Sequence, residues 1–299
     1  MNIVLTGSLG NIGKPLTQKL VKNGHSITVI SSKTERQKDI AALGAKAAIG
    51  TMEDVDFLSE TFQGADIVYV MATLGNQSFF DPNIDIVEEM TQLGKNYKTA
   101  IERAGVKKVI ELSSIGADKD SGNGNLIFHY NIENILKQLP TDVSIKVMRP
   151  SGFYTNLLRS VQSVKDKGVI ISNYGGDQKE PWVSPMDIAT AIAEEMESPF
   201  GGRTVRYIAS DEISPNEIAE ALGNAIGKPE LKWQSITDEQ MLDGMMSTGM
   251  NAQAAKGLVE MQAVQGDGTL YEDYNQNKPI LGKVKLADFA KEFALAYMH

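Results

Sequence analysis

Short apolar runs alternate with stretches of helical period along the first half of the chain. Residues 2–6 (NIVLT), 26–30 (SITVI), 45–49 (AKAAI), 66–71 (DIVYVM), 107–112 (KKVIEL) and 144–148 (SIKVM) read as strands. Between them, apolar residues recur every three or four positions over roughly 12–23, 34–43, 54–62, 84–103 and 126–139. Strand–helix alternation of this kind predicts an α/β fold: a doubly wound parallel sheet, a Rossmann core, with right-handed crossovers and helices on both faces.

The rhythm changes after Pro150. SGFYTNLL (151–158) reads as the start of a helix, GVIIS (168–172) as a short strand, and SPMDIATAIAEEME (184–197) as a helix with Pro185 near its first turn. TVRYIAS (204–210) returns as a strand, and SPNEIAEALGNAIG (214–227) is a helix announced by Ser214, Pro215 and Glu217. The remainder reads as mostly helical, including a Met-rich segment from Met241 to Met261. The expected division is a dinucleotide-binding core of residues 1–152, to which 183–210 returns, and a smaller C-terminal substrate lobe of 153–182 and 211–299. That lobe would lie over the carboxyl ends of the strands, where doubly wound sheets bind ligands. No internal repeat or low-complexity linker interrupts the chain.

Composition narrows the function classes. The 299 residues suffice for one large α/β domain or two moderate ones. Twenty-nine basic against 38 acidic residues give a net charge of -9, and no Lys/Arg cluster stands out, which argues against nucleic acid as a partner. The absence of cysteine excludes disulfides and thiol catalysis and fits a reducing compartment. The chain opens directly on a strand, without a charged-then-apolar leader, and its apolar runs are short, so a cytoplasmic protein with no membrane span is expected. His25, His129 and His299 are widely spaced, so no metal site is expected.

The most informative stretch is TGSLGNIGKPL (6–16), which follows the first strand and opens the first helix. Gly7, Gly10 and Gly13 are spaced GxxGxxG. The first glycine permits a tight turn, the second lets the backbone approach a pyrophosphate, and the third allows close helix packing. The helix N-terminus supplies N–H groups and the positive end of its dipole. The second strand ends in Ser31, Ser32 and Lys33, with Arg36 one turn further, rather than in the Asp or Glu that holds the ribose hydroxyls of NAD. Two hydroxyls and an ammonium suit a 2′-phosphate, which favours NADP(H) over NAD(H).

Together these residues resemble the NmrA-like branch of atypical short-chain dehydrogenases/reductases, which includes quinone oxidoreductase-like members. TGSLGNIG is similar to that family's cofactor loop, and AGVKKVIELSSIGAD (104–118) to its fifth helix-to-strand unit. VMRPSGFYTNLL (147–158) resembles its RP-x-x-F-x-x-N turn, and VSPMDIATAIA (183–193) its V-x-x-x-D-I-A helix. The resemblance implies NADP(H) binding, with either reduction of small molecules or redox sensing without turnover. It implies that Thr6, Gly7, Ser8, Gly10, Asn11 and Ile12 carry the pyrophosphate, with Gly13 behind them and Ser31 to Lys33 at the adenosine ribose. Met71, Ala72 and Thr73 would line the cofactor, Ser113 and Ser114 would lie near the nicotinamide, and Pro150 and Phe153 behind it. At the third strand, Thr51 stands where related proteins often carry an aspartate facing the adenine.

The catalytic residues are the open question. Tyr130 stands four residues before Asn134, a spacing that in many nicotinamide-dependent enzymes belongs to a tyrosine and a lysine. A free tyrosine has a pKa near 10, and a lysine about 5 Å away would favour tyrosinate by roughly 3 kcal/mol at an effective dielectric near 20. Asn134 offers no such charge, and Lys137 lies seven residues beyond Tyr130. Tyr130 is therefore either a poorly matched proton donor or an aromatic at the cleft rim. His129 has an unperturbed pKa suited to proton transfer, and Ser113 or Ser114 could polarise a carbonyl; each also has a plain structural use. Met241, Met245, Met246 and Met250 read as core, although methionines also line adaptable pockets.

Losing the lysine counts against alcohol–ketone interconversion and sugar-nucleotide epimerisation, not against all reduction. The expected function is hydride transfer to a small acceptor such as a quinone or carbonyl, with a non-catalytic NADP(H) sensor acting through a protein partner as the alternative. A homo-oligomer is left open.

Overall fold

The computed structural model describes residues 1–299. Its strands are β1 (Asn2–Leu5), β2 (Ser26–Ser31), β3 (Lys46–Ile49), β4 (Ile67–Met71), β5 (Lys108–Leu112), β6 (Ser144–Pro150), β7 (Gly152–Phe153), β8 (Val169–Ser172), β9 (Glu180–Val183), β10 (Arg203–Ile208), β11 (Asp211–Ile213) and β12 (Lys232–Ser235). Seven of them form one sheet in the order β10-β6-β5-β4-β1-β2-β3, and every neighbouring pair is parallel. The expected Rossmann-type parallel sheet is present.

Side chains two apart along a strand share a face, and these strands are buried on both. Ile3 and Leu5 of β1 and Ile67 and Tyr69 of β4 join one core, while Val4, Val68 and Val70 join the other. The first core is covered by α1 (Gly13–Lys22) and, further along the chain, by α7 (Pro185–Glu197), which packs on α1. Between them in sequence come α2 (Arg36–Ala42), α3 (Val55–Phe62), α4 (Ile86–Ala104), α5 (Ile127–Leu136) and α6 (Val161–Lys167). The second core lies under α3, α4 and α5, with Phe62, Tyr97 and Leu136 fully buried.

Two small sheets sit beyond the carboxyl edge of the large one: β11-β9-β7 and β12-β8. Around them are packed α8 (Pro215–Ala225), α9 (Asp238–Ser247), α10 (Ala252–Gly266), α11 (Glu272–Gln276) and α12 (Leu286–Met298). A separate apolar cluster of Tyr154, Trp182, Leu222, Phe289 and Phe293 lies here. The stretch 151–158 begins not as a helix but as β7, whose Gly152 and Phe153 pair with Trp182 and Val183 of β9, followed by a 3₁₀ turn from Tyr154. Pairing with a strand thirty residues away overrides the local helical pattern. The Met-rich segment is helical but breaks into α9 and α10 around Gly249, whose φ of 85° ends the first helix.

Candidate functional site

The carboxyl ends of β1, β2, β3 and β4 enclose a cavity of about 340 Å³ lined by Gly7, Ser8, Ile30, Ser31, Ser32, the segment 50–53, Thr73, Leu74, Gly75 and Ser78. Gly7 has a φ of 87°, and a Cβ there would collide with the Met71 side chain. Ser8 is the single non-glycine residue with positive φ, at 57°; its hydroxyl donates to Ser31 Oγ at 2.9 Å, and its N–H donates to the Ile30 carbonyl at 3.1 Å. The strained turn is thus tied to the tip of β2. Gly13 abuts the Ser8 carbonyl, which draws α1 against the loop. A Cβ on Gly10, by contrast, would meet nothing nearer than the Gly7 carbonyl at 3.7 Å. No packing inside the protein explains that glycine, whereas close approach of a ligand does.

Other expected cofactor residues take supporting places. Thr6 is buried, and its hydroxyl accepts from the Met71 N–H at 3.0 Å, holding β1 to β4. Ile12 belongs to the core, so only its backbone can face a ligand, while Asn11 is exposed at the loop. Met71 packs beneath Gly7, its carbonyl accepting from Tyr97 Oη at 2.6 Å, and Ala72 follows it partly buried toward Thr73. Lys33 is exposed and outside the cavity lining; its N–H donates to Ser31 Oγ at 3.2 Å and its carbonyl accepts from the Arg36 N–H at 3.1 Å. Gly50, Met52, Glu53 and the run Leu74 to Ser78 were missed from sequence. Reading the tips of the third and fourth strands as closely as the first two would have found them. Glu53 matters most, because it puts a carboxylate on the rim of the cavity that holds Ser31 and Ser32.

At the ends of β5 and β6 the structure brings together Ser113, His129 and Arg149, but not in the arrangement expected. Buried Ser113 donates its hydroxyl proton to Glu133 Oε1 at 2.7 Å, so the hydroxyl is committed away from a substrate. Glu133 in turn takes two guanidinium bonds from Arg149, at 2.9 and 2.8 Å, and Arg149 also reaches Tyr207 Oη at 3.0 Å and Asp273 at 3.2 Å. Glu111 lies in the same buried group with neither oxygen partnered; burial first, then the Glu133 charge, pushes its carboxyl well above the usual range. His129 is half-buried against Phe128, and burial, with the Arg149 charge second, lowers its pKa to about 3. The shift favours the neutral imidazole, whereas the ordinary value would suit proton transfer.

Tyr130 and Asn134 are both partly exposed. The Lys137 ammonium turns to Asn134 Oδ1 at 3.4 Å and to Glu133 Oε2 at 3.9 Å, so α5 carries a cation, but it is held by other groups than Tyr130. Ser114 is partly buried just past β5, Pro150 is buried at the end of β6, and Phe153 is packed against the first core.

A second pocket, of about 250 Å³, begins at Gly152 and extends into the C-terminal segments. Tyr174, Trp182, Trp233, Met241, Met245 and Met250 line it, with Ser172, Arg159 and Gln262 among the polar residues. Within the Met-rich segment, Met241, Met245, Met250 and Met261 line the pocket, Met250 also packs against the second core, and Met246 is 45% exposed outside the lining. α9 buries no residue, whereas α10 buries Ala254, Ala255 and Val259. No helix of the chain is long and apolar enough to cross a membrane.

A parallel sheet in this order, with a glycine turn and open cavity at its carboxyl edge, defines a Rossmann-type NAD(P)-binding fold. The family within that class is shown by the sequence: a model of the NmrA-like family matches residues 1–291, and the chain belongs to that family. It is 23% identical over 305 residues to the uncharacterized oxidoreductase YesF of Bacillus subtilis, covering 98% of this chain and 95% of that one. It is also 23% identical over 210 residues to a chloroplastic divinyl chlorophyllide a 8-vinyl-reductase of Arabidopsis thaliana, covering 65% of this chain and spanning about half (49%) of that protein's length. Among solved structures, an NADPH-dependent quinone oxidoreductase of Escherichia coli complexed with NADPH superposes with a TM-score of 0.81 at 21% identity, covering 97% of this chain and 99% of that one. The Citrobacter sp. triphenylmethane reductase complexed with NADP(H) gives 0.74 at 17% identity, covering 98% of this chain and 99% of that one.

Proposed function

We propose that this chain is an NADP(H)-dependent oxidoreductase that reduces a small acceptor, a quinone or carbonyl, with the cofactor held at the strand-tip cavity and the acceptor in the Met–Trp pocket. The observation that carries this reading is Gly10, whose open surround in the glycine loop answers to a pyrophosphate and to nothing in the protein. The loop amides and the N-terminus of α1 would hold that pyrophosphate, with the adenosine between Ser31, Ser32 and Thr51. A reduced nicotinamide, when bound, would supply the hydride. The residues of the chain position the acceptor and exclude water: Trp182 and Trp233 offer flat faces, and the methionines adapt to its outline. The division into a core of 1–152 with 183–210 and a substrate lobe of 153–182 and 211–299 belongs to this proposal, as does a cytoplasmic location.

Oxidation of NADPH against a panel of quinones, aldehydes and enones tests the reading, and Gly10→Val, which should fold yet lose dinucleotide binding, controls it. Turnover with no acceptor leaves the sensor alternative; unchanged cofactor affinity in Gly10→Val removes the dinucleotide site altogether. The preference for NADP(H) rests on Ser31, Ser32 and the nearby Lys33, and is opposed by Glu53 on the cavity rim. Lys33→Ala should weaken NADPH a few-fold and leave NADH unchanged, whereas Glu53→Gln should strengthen NADPH relative to NADH. Calorimetric titration reads both, and equal effects on the two cofactors would show that neither residue senses the 2′-phosphate.

A further inference from the structure

Behind the wall of the Met–Trp pocket lies a carboxylate that nothing in the cofactor cleft requires. Glu180, on β9, is 3% exposed. Its Oε1 accepts from Tyr174 Oη at 3.1 Å and from Trp182 Nε1 at 3.0 Å, and its Oε2 accepts from Tyr271 Oη at 2.8 Å. Tyr174 and Trp182 are themselves pocket wall, so Glu180 stands one side chain away from whatever the pocket holds. No cation faces it. Lys179, its chain neighbour, pairs with Glu217; on the adjacent β11, Glu212 pairs with Lys278 and Asp211 with Lys285. From α10 the groups nearby are the neutral Gln262 and Gln265. Burial raises the Glu180 carboxyl to about 7, with the three neutral donors holding it back only in part. Ser172 and Gln262, both in the pocket lining, also keep Oγ and Oε1 without a protein partner, as residues awaiting a polar ligand do.

We infer that Glu180, acting through the Tyr174 hydroxyl, is the proton reserve for an oxygen-bearing acceptor bound in this pocket. The inference rests on the reading of the chain as a reductase. When a carbonyl acceptor takes hydride from a reduced nicotinamide, its C=O π bond becomes a C–H bond and an alkoxide. The alkoxide removes the Tyr174 proton, and the tyrosinate oxygen takes the proton of neutral Glu180. The products are an alcohol, restored Tyr174 and a Glu180 carboxylate, and the carboxylate regains its proton from water after release. Tyr174 unaided is a poor donor, because burial and the adjacent Glu180 raise its own pKa well above the ordinary value. The simultaneous transfer from Glu180 removes the need for a lasting tyrosinate. A quinone, whose reduced oxygen is less basic than an alkoxide, depends on the relay less steeply.

The test is kcat and KM against pH from 5 to 9, with NADPH and both a ketone and a quinone, for the wild type, Glu180→Gln and Tyr174→Phe. Wild-type kcat should fall as pH rises through about 7. Either variant should lower kcat for the ketone at least tenfold at pH 6 and abolish that pH step, with KM changed less than threefold and with NADPH affinity unchanged. Tyr174→Phe keeps Glu180 bonded to Trp182 and Tyr271, so it guards against a Glu180→Gln variant that fails to fold. Infrared difference spectra should also show a protonated-carboxyl band that titrates near neutral pH and is missing in Glu180→Gln. Wild-type turnover with an undiminished pH step in both variants would overturn the relay while leaving the reductase reading intact. No wild-type turnover with any acceptor would overturn both.

Discussion

Two buried glutamates in this molecule have the same number of hydrogen-bond donors and opposite electrostatic settings. Glu133, 1% exposed, accepts twice from the Arg149 guanidinium and once from Ser113. Glu180, 3% exposed, accepts three times from neutral groups, two phenols and an indole. Hydrogen bonds satisfy the lone pairs in both places, but only the guanidinium compensates the charge removed from water. The compensated carboxylate is a fixed strut joining β5, α5 and β6 beside the cleft. The uncompensated one gains a proton near neutrality and can exchange it. Glu111, with no donor at all, marks the limit of this series: burial pushes its carboxyl well above the usual range.

The largest effect should follow from removing the compensation. Arg149→Met leaves Glu133 buried with only the exposed Lys137 ammonium, 3.9 Å away, as a cation, and losing the hydrogen-bonded partner of a buried pair costs about 3–5 kcal/mol. Urea denaturation should show it, and the double variant with Glu133→Gln should recover part of the loss. A cost under about 1 kcal/mol would mean that water reaches Glu133 and that the two glutamates are not different in kind.

The next effect belongs to Glu180 and has a definite sign. Its folded pKa, about 7, lies above its ordinary value of 4.5, so the folded state holds a proton that the unfolded chain has released between those limits. The stabilisation is complete below the lower value and is lost as pH rises through the upper one. Compared with Glu180→Gln, the wild type should lose roughly 3 kcal/mol between pH 4.5 and pH 7 and no more above it. Taking the difference between the two proteins cancels the contribution of Glu111, which titrates with the same sign. A flat difference would place a hidden cation or water beside Glu180 and erase the contrast with Glu133.

The strand tips and the pockets differ in how much the sequence discloses. The glycine loop, β1, β2 and the strand–helix alternation of a parallel sheet were legible because each signal is local: a glycine spacing, an apolar run, a helical period. After β3 and β4 only Thr51 and Thr73 were named; Gly50, Met52, Glu53, Leu74, Gly75 and Ser78 were missed because no single residue type marks them. The Met–Trp pocket was not legible, since it joins Gly152, Tyr174, Trp182, Trp233 and the α9–α10 methionines across more than a hundred residues of chain. Glu180 carries no signal in the sequence, because its burial exists only once β9 is trapped between β7 and β11. For the same reason Ser113 read as a candidate for the reaction, while its partner, Glu133, is supplied by a helix twenty residues later.

The smallest effect concerns the other place where a cation is absent, Tyr130. Lys137, just past the end of its helix, is engaged by Asn134 Oδ1 at 3.4 Å and lies 3.9 Å from Glu133 Oε2, so that ammonium is committed to groups other than the Tyr130 phenol. Tyr130→Phe should therefore leave quinone turnover within about threefold, since a group that supplies no transition-state stabilisation can be removed at little cost. Asn134→Lys places an ammonium one helical turn from Tyr130, in place of the amide that now engages Lys137. Where the phenol supplies no proton to the reaction, carbonyl reduction between pH 7 and 9 should rise no more than a few-fold. A strong rise that Tyr130→Phe abolishes would show that the phenol is the proton donor, moving the acidic end of the reaction from the Glu180 side of the pocket to α5.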